Sequence, residues 1–193
     1  MSSTTTNNSK TELYGGAITI NKLPSTFIDI SQIRQIPDTQ EVFINEVDNT
    51  LSYDQSLIFD ILEQVPTPNY SEAIQEHLID IAPTGTINHL IEEFKGEDIE
   101  KFFSYIIFKP EYKRVEENQS KLNIVLICLI RINKIKTDIL IQYIIPLKKS
   151  YDITLINFKS PKNEIDQLII DNFEKFKEIC LSFKIEDWNL FAS

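Results

Sequence analysis

Apolar residues near the start of the chain recur at several spacings, which predict a strand, a short helix and a second strand. Leu13 to Ile20 alternates apolar and small residues, and Gly15 and Gly16 within this strand indicate a bulge or a close backbone approach. Apolar residues then follow at every third position, which predicts a short helix ended by Pro37. Those residues are Phe27, Ile30, Ile33 and Ile36. Gln40 to Asn45 alternates again and predicts a short strand.

The next two apolar segments have helical spacing. Tyr53 to Val65 carries apolar residues three and four positions apart and is followed by Pro66, which together predict a helix. Ser71 to Ala82 repeats the pattern more weakly, with Ser71 as the candidate N-cap and Pro83 after the end. The first half of the chain is therefore expected to supply helices that cover a sheet.

Three long apolar segments in the middle of the chain predict the strands of that sheet. They are Phe102 to Phe108, Leu122 to Ile132 and Thr137 to Ile145. The last two are joined by a turn too short for a helical crossover, so they must pair antiparallel. The near-continuous apolar run of the second predicts a central strand covered by helices on both faces. The predicted fold class is mixed α/β (α+β), with an antiparallel sheet between helices.

The end of the chain predicts a long amphipathic helix and a tail that packs on the domain. Ile165 to Phe183 has one apolar stripe over five turns, and Asp187 to Phe191 holds three large apolar residues. The segment from Lys148 to Asn163 is expected to be a loop. We predict a single domain over residues 12–193, preceded by a disordered tail over residues 1–11 that lacks apolar material for a core.

The charge is distributed unevenly, and this distribution limits the possible partners. The net charge is −10, and from Gln35 to Phe94 there are twelve Asp and Glu residues and no Lys or Arg. Such a stretch repels nucleic acid and anionic membrane surfaces and attracts a basic protein surface. We therefore expect a protein partner, with no nucleic acid and no membrane.

Cysteine usage and the absence of an export signal favour a reducing compartment. Cys128 and Cys180 both lie in apolar surroundings that suit small buried side chains, although a single structural disulfide is the alternative. No segment has the pattern of a signal peptide, and the longest apolar run, Ile124 to Ile130, is too short to span a bilayer. Such a compartment is the cytosol or the nucleus, and we expect a monomer that resides in the nucleus and the cytoplasm.

The sequence gives little evidence for catalysis or metal binding by histidine. The chain has two histidines, and His77 and His89 are each better explained as a structural hydrogen-bonding partner or a surface residue than as a catalytic base. A metal site that combines them with Glu76 and Asp80 has poor geometry, because the adjacent residues Glu76 and His77 point apart on a helix. No Lys-Ser or Lys-Thr pair follows the two early glycines at the short spacing of a P-loop, which excludes that motif. We expect no catalytic residue, no metal and no cofactor.

Carboxylates are numerous, so no single pair is strong evidence for a site. Asp38 and Glu41 are the best placed, but on local grounds a turn residue and a solvated strand position explain them. Asp29 and Arg34 could form a local ion pair. Residue chemistry alone therefore leaves the function of these four side chains open.

Several segments of the sequence share their residues with a known family. They begin with LYGGAIT and FIDISQIRQIPDTQEVF, over residues 13–19 and 27–43, and continue with DQSLIFDILE and EHLIDIA. They extend through VLICLIRI and TDILIQYIIPL to DWNLFA at residues 187–192. These segments resemble the Mog family, the Ran-binding guanine nucleotide release factors of nuclear transport. Residues 95–120 and 148–163 depart from the family pattern, but the resemblance covers nearly the whole chain in order.

The resemblance implies a fold, a function and a site. The fold would be of the Mog/PsbP type, with about six antiparallel strands sandwiched by helices. The function would be to bind the small GTPase Ran, promote release of its nucleotide and influence nuclear protein import, without hydrolytic chemistry. The acidic positions of the family motif correspond to Asp38 and Glu41, and Asp29 and Arg34 are their expected neighbours on the Ran-facing surface.

Two other classes of function remain open from the sequence. A small-molecule enzyme or carrier would need a cleft with converging polar groups, for which the vicinity of His77 is the candidate. A scaffold or trafficking adaptor for protein partners other than Ran would keep its partner after loss of Asp38 and Glu41. Binding measurements on variants of those two acids therefore separate the classes.

Overall fold

A large antiparallel sheet, a small antiparallel sheet and two helices make up the computed structural model, which describes residues 9–96, 99–114 and 116–192. The strands are β1 (Lys10–Leu13), β2 (Ile18–Asn21), β3 (Phe27–Asp29), β4 (Gln40–Asn45), β5 (Gln55–Glu63), β6 (His89–Lys95), β7 (Glu100–Phe108), β8 (Leu122–Ile132), β9 (Thr137–Leu147) and β10 (Lys184–Ile185). The small sheet has the strand order β1-β2-β10, and the large sheet has the order β3-β4-β5-β9-β8-β7-β6. The seven described strands of the large sheet agree with the predicted antiparallel architecture and exceed the expected number of about six by one.

The central strands β8 and β9 are buried on both faces, as predicted for the first of them. They pair antiparallel from Leu122 opposite Leu147 to Ile132 opposite Thr137. One face of the sheet packs against helix α2 (Glu164–Ser182) and the small sheet, and the other packs against helix α1 (Tyr70–His77). Alternate side chains of β8 therefore enter two separate hydrophobic clusters, which holds the helices on opposite sides.

The predicted helix over Tyr53 to Val65 is wrong, because this segment forms β5. Its buried positions alternate along Gln55, Leu57 and Phe59, and its backbone pairs with β4 on one side and β9 on the other. Apolar residues three and four positions apart in this segment also fit a strand that carries apolar side chains on both of its faces. Pairing with two neighbouring strands satisfies the backbone hydrogen-bonding groups of this segment, so it forms a strand and not a helix.

The predicted helix over Phe27 to Ile36 is also wrong. This segment forms β3 and a single 3-10 turn at Ile30–Gln32, and Ile33 is 72% exposed. Its isoleucines are β-branched residues with little preference for a helix, and Asp29 caps the 3-10 turn by accepting a hydrogen bond from Ser31 N. The residues expected on one buried helix face therefore lie in different environments.

The first predicted strand is two strands joined by a turn. Gly15 and Gly16 have φ values of 64° and 91° and sit in the 3-10 turn between β1 and β2, so the interpretation as a bulge within one strand is wrong. The left-handed backbone of the turn favours glycine because no Cβ is present to crowd the carbonyl groups. Of the predicted tail over residues 1–11, residues 1–8 lie outside the described residues, and Lys10 and Thr11 belong to β1.

The remaining elements agree with the predicted pattern in most respects. The helix α1 and a 3-10 turn at Leu78–Asp80 cover the second predicted helix, although Asn69 rather than Ser71 is its N-cap. The long helix α2 begins after its N-cap Asn163, which accepts hydrogen bonds from two backbone N–H groups. Strand β6 was not predicted, because a register shift between Leu90 and Glu92 interrupts its alternation. Within the described ranges, neither helix combines the length and the apolar character needed to cross a membrane.

A buried ion pair fixes the connection between β5 and α1 to the sheet. Arg131 on β8 and Asp138 on β9 are 3% and 0% exposed, and Arg131 Nε donates to Asp138 Oδ1 at 3.0 Å. Arg131 also donates to the carbonyl groups of Val65 and Thr67, and His77 Nε2 lies 3.0 Å from Asp138 Oδ2. Burial by itself raises the pKa of Asp138, but the bonds from His77, Arg131 and Val65 N outweigh it and hold the pKa below its ordinary value.

Replacing this carboxylate should destabilise the fold. We expect Asp138→Ala to lower the free energy of unfolding by about 3–5 kcal/mol, because it leaves Arg131 buried without its partner. Asp48 is exposed, so Asp48→Ala serves as the control and should change the free energy of unfolding by less than about 0.5 kcal/mol. The contribution of Asp138 is complete above the unfolded pKa of about 3.9 and disappears as the pH falls through the lower folded value. Urea unfolding at several pH values measures both effects, and equal loss in the two variants would contradict the assignment.

Candidate functional site

A surface hollow of about 490 Å³ brings three of the four predicted site residues together. It lies at the β3–β4 edge of the large sheet and is bounded by the β1–β2 turn, the segment after β3 and the C-terminal 3-10 turn at Trp188–Phe191. Arg34, Asp38 and Glu41 line it, whereas Asp29 lies beside Glu41 and outside the lining. The remaining lining residues are Tyr14, Ser31, Gln35, Ile36, Pro37, Gln40 and Leu190.

Glu41 is half-buried and held by the backbone of the hairpin turn. It lies in β4, and its Oε1 accepts a hydrogen bond from Tyr14 N at 2.5 Å. Asp29 pairs with Phe43 across β3 and β4, so Asp29 and Glu41 are diagonal neighbours on one face. Burial raises the pKa of Glu41, the Tyr14 N–H opposes that rise, and the charge of Asp29 adds to it. The hydrogen bond from the hairpin turn therefore favours the ionised form of the carboxylate.

Asp38 is an exposed residue in the turn that leads into β4. The turn is closed by a hydrogen bond from Gln40 N to the Pro37 carbonyl at 2.9 Å. This agrees with the local interpretation of Asp38 as a turn residue, and the same turn places its side chain at the hollow. Asp38 and Glu41 thus reach one surface from a turn and from the adjoining strand.

The possible ion pair between Asp29 and Arg34 is absent from the described part of the chain. Asp29 instead accepts a hydrogen bond from Ser31 N at 2.8 Å and caps the 3-10 turn. The side chain of Arg34 is exposed and lines the hollow beside the two acids. Asp29 therefore shapes the loop, and the guanidinium group of Arg34 stays available to solvent or to a partner.

Two residues of the hollow were missed by sequence reasoning. Tyr14 donates its hydroxyl hydrogen to the Thr39 carbonyl at 3.0 Å, and Leu190 arrives from the opposite end of the chain. Burial, together with the charges of Glu41 and Asp60, raises the pKa of Tyr14 above its ordinary range. The signals that could have found these residues were the paired glycines after Tyr14 and the apolar C-terminal tail.

The two histidines lie away from this hollow. His77 contacts the buried Asp138, which supports its interpretation as a structural hydrogen-bonding partner. The ring of His89 stacks on Tyr105 with 5.0 Å between centroids, and burial lowers the pKa of His89. In the ranges that the structure describes, no group of three or more potential ligands could hold a metal ion. The hollow itself offers carboxylates and carbonyl groups, which accept hydrogen bonds from basic side chains.

Comparisons with known proteins agree on one family. The family model described as Ran-interacting Mog1 protein matches residues 11–146. The chain is 31% identical over 196 residues to the nuclear import protein MOG1 of Saccharomyces cerevisiae, which covers 96% of this chain and 86% of that relative. It is 30% identical over 198 residues to the "Probable ran guanine nucleotide release factor" of Dictyostelium discoideum, covering 95% and 96%. The crystal structure of the S. cerevisiae Ran-binding protein Mog1p is similar with a TM-score of 0.67 and 26% identity, covering 96% of this chain and 99% of that one.

The raised pKa of Glu41 predicts that its charge costs stability. Because the folded state binds the proton of Glu41 more tightly than the unfolded state does, ionisation at pH 7 opposes folding. Glu41→Gln should therefore raise the free energy of unfolding at pH 7 slightly, by less than about 1 kcal/mol given its contact with solvent. The gain should shrink as the pH falls through the folded pKa of Glu41 and the parent side chain becomes protonated.

Denaturant unfolding at neutral and acidic pH measures this difference. Glu46→Gln is the matched control, because Glu46 is exposed and follows β4 directly. A loss of stability in Glu41→Gln at pH 7, or a gain that does not depend on pH, would contradict the expectation.

Proposed function

The chain belongs to the Ran-interacting Mog1 family, and on this premise we propose that it binds the GTPase Ran and promotes guanine nucleotide release in nuclear protein import. The family match spans residues 11–146, which include every strand of the large sheet except the last residue of β9. The Ran-contact surface in this proposal is the acidic hollow with Asp38, Glu41 and Arg34, together with the neighbouring Asp29.

One observation carries the placement of the surface: Asp38 and Glu41 line the same hollow, and the chain that follows Arg34 has no Lys or Arg as far as Phe94. From Gln35 to Phe94 there is no Lys or Arg, so no basic residue of that stretch neutralises the two acids. Arg34 is the basic residue that lines the hollow. A partner that offers Lys or Arg side chains would gain charge-assisted hydrogen bonds here and would be steered by the acidic surroundings.

Nucleotide release follows from such a surface by linkage. If the protein binds nucleotide-free Ran more tightly than loaded Ran, it must weaken nucleotide binding by the same factor. In this proposal Asp38 and Glu41 pair with basic groups near the phosphate site of Ran, so their carboxylates compete with phosphate for positive charge. No covalent step is needed, and the protein acts as a regulator without catalytic chemistry or a cofactor of its own.

The proposal also covers the oligomeric state, the cellular compartment and the class of partner. We take it to act as a monomer in the nucleus and the cytoplasm, with a protein partner rather than nucleic acid or membrane. The excess of negative charge, −10 over the chain, supports this choice because it repels phosphate backbones and anionic lipids. A trafficking adaptor for other proteins remains the alternative, and retention of a partner after loss of both acids would favour it.

Charge reversal at the hollow should weaken Ran binding. We expect Asp38→Lys and Glu41→Lys each to cost about 2–4 kcal/mol of binding free energy if their pairs are buried at the centre of the contact. Titration calorimetry with Ran in its GTP-bound, GDP-bound and nucleotide-free forms measures the loss. Release of a fluorescent nucleotide from loaded Ran should slow in parallel.

The control variant introduces the same change of charge at the opposite edge of the large sheet. Glu93 on β6 is exposed, so Glu93→Lys should leave binding within about twofold of the parent after allowance for long-range steering. Normal release by folded Asp38→Lys and Glu41→Lys would refute the proposed contact. Equal loss in all three variants would show a general effect of charge instead.

A further inference from the structure

The turn between β1 and β2 has an unusual backbone at the point where it meets the hollow. Tyr14, Gly15 and Gly16 have φ values of 50°, 64° and 91° in succession. Glycine adopts this left-handed conformation readily, but a tyrosine does so at a cost because its Cβ crowds the backbone. Tyr14 is therefore held in a conformation that its own side chain disfavours, and its contacts must compensate.

We propose that Tyr14 is a positioning residue for partner binding: its backbone N–H fixes the Glu41 carboxylate, and its hydroxyl fixes the turn that carries Asp38. The inference rests on the proposed function, because it concerns the surface assigned there to Ran. It adds a residue that lies outside the acidic stretch from Gln35 to Phe94 and gives that residue two separate roles.

The first role depends on the hydrogen bond from Tyr14 N to Glu41 Oε1. Tyr14 follows Leu13, whose pairing with Ile18 is the last of the hairpin ladder, and its N–H donates instead to the Glu41 side chain on β4. Glu41 is half-buried beside the negative charge of Asp29, so both its surroundings and its neighbour oppose ionisation. The bond from Tyr14 favours the ionised form and selects one orientation of the carboxylate.

The second role depends on the hydrogen bond from the Tyr14 hydroxyl to the Thr39 carbonyl at 3.0 Å. The same carbonyl accepts a hydrogen bond from Ile61 N at 2.9 Å, and Gln40 N closes the turn onto Pro37. The carboxylate of Asp38 accepts no hydrogen bond from the residues that the structure describes, so its position follows that of the turn. Tyr14 thereby orients Asp38 without contacting it.

The turn is anchored on its far side by the end of the chain. The carbonyl of Ala17 accepts hydrogen bonds from Glu186 N at 2.9 Å and from Asp187 N at 3.0 Å. These bonds continue the pairing of β10 with β2 and lead into the segment that brings Leu190 to the hollow. Tyr14 is thus held from both sides, which a positioning residue requires.

Two variants separate the two roles. Replacing the Leu13–Tyr14 peptide bond by an ester removes the N–H and keeps the side chain, whereas Tyr14→Phe removes the hydroxyl and keeps the N–H. Tyr53→Phe is the matched control, because Tyr53 does not line the hollow. The measurements are the pKa of the Glu41 side chain by carbon-13 NMR of the free protein, and the affinity for nucleotide-free Ran as a function of pH.

Other charged and titratable groups near Glu41 also influence its pKa. They are Asp29 on β3, Arg34 and Asp38 in the hollow, Tyr14 in the turn and Asp60 on β5. All of them are unchanged in the ester variant, so a change in the pKa of Glu41 reports the lost N–H. We expect that pKa to rise by about one pH unit, because the N–H favours the ionised carboxylate.

The binding results should follow the same division. In the ester variant the pH at which half of the Ran affinity is lost should rise with the pKa of Glu41. In Tyr14→Phe the Glu41 pKa should stay at the parent value while the affinity falls about fivefold at every pH. If Tyr14 had a purely structural role, the ester variant and Tyr14→Phe would not differ in the pH dependence of their affinity for Ran.

Either of two results overturns the inference. One is an unchanged pKa of Glu41 in the folded ester variant, and the other is parental affinity in Tyr14→Phe. If the parent chain binds Ran in none of its nucleotide states, the proposed function itself is wrong. The pKa of Glu41 in the free ester variant still decides in that case whether Tyr14 holds the carboxylate.

Discussion

The pairing of β8 with β9 over eleven residues positions every other strand of the large sheet. Both strands are almost completely buried, so their ladder forms the layer against which α1 and α2 pack. The other strands are added outwards from this pair, through β5 and β4 to the short edge strand β3, and through β7 to β6. The buried contact of Arg131 with Asp138 crosses the same pair and attaches the connection to α1. The rigid centre of the molecule thus carries no part of the candidate site and determines where its edges lie.

The acidic hollow lies where this order ends. Strand β3 has three residues, and a 3-10 turn and a loop follow it before β4 begins. Loops at the edge of a rigid sheet can present charged groups that a core could not accommodate. Backbone N–H groups hold two carboxylates in place there: Tyr14 N donates to Glu41, and Ser31 N donates to Asp29. The site therefore combines half-buried carboxylates with hydrogen-bond donors in fixed positions. The same partial burial raises the pKa of Glu41.

The sequence predicts the parts of this fold whose pattern has one explanation. Strand β8 and helix α2 have long, unambiguous apolar patterns, and both were predicted with nearly correct bounds. Strand β5 was predicted as a helix because it carries apolar side chains on both faces, one buried and the other partly exposed, and these residues fall at helical spacing. Asp38 and Glu41 were singled out by charge and by family resemblance, and the structure places both at one hollow. Tyr14 and Leu190 could not be found in this way, because they reach the hollow through pairing between distant segments of the chain.

The bonds from Glu186 and Asp187 to the carbonyl of Ala17 have a consequence for biosynthesis. A ribosome releases the hairpin and Glu41 long before it releases β10, because more than half of the chain lies between Glu41 and β10. Until then the small sheet lacks its third strand, and the hollow lacks Leu190. Contacts between such distant residues form late, since the intervening loop must close first. A nascent chain therefore displays its carboxylates in an unfinished arrangement, and the contact surface is completed only when synthesis has reached the C-terminal segment.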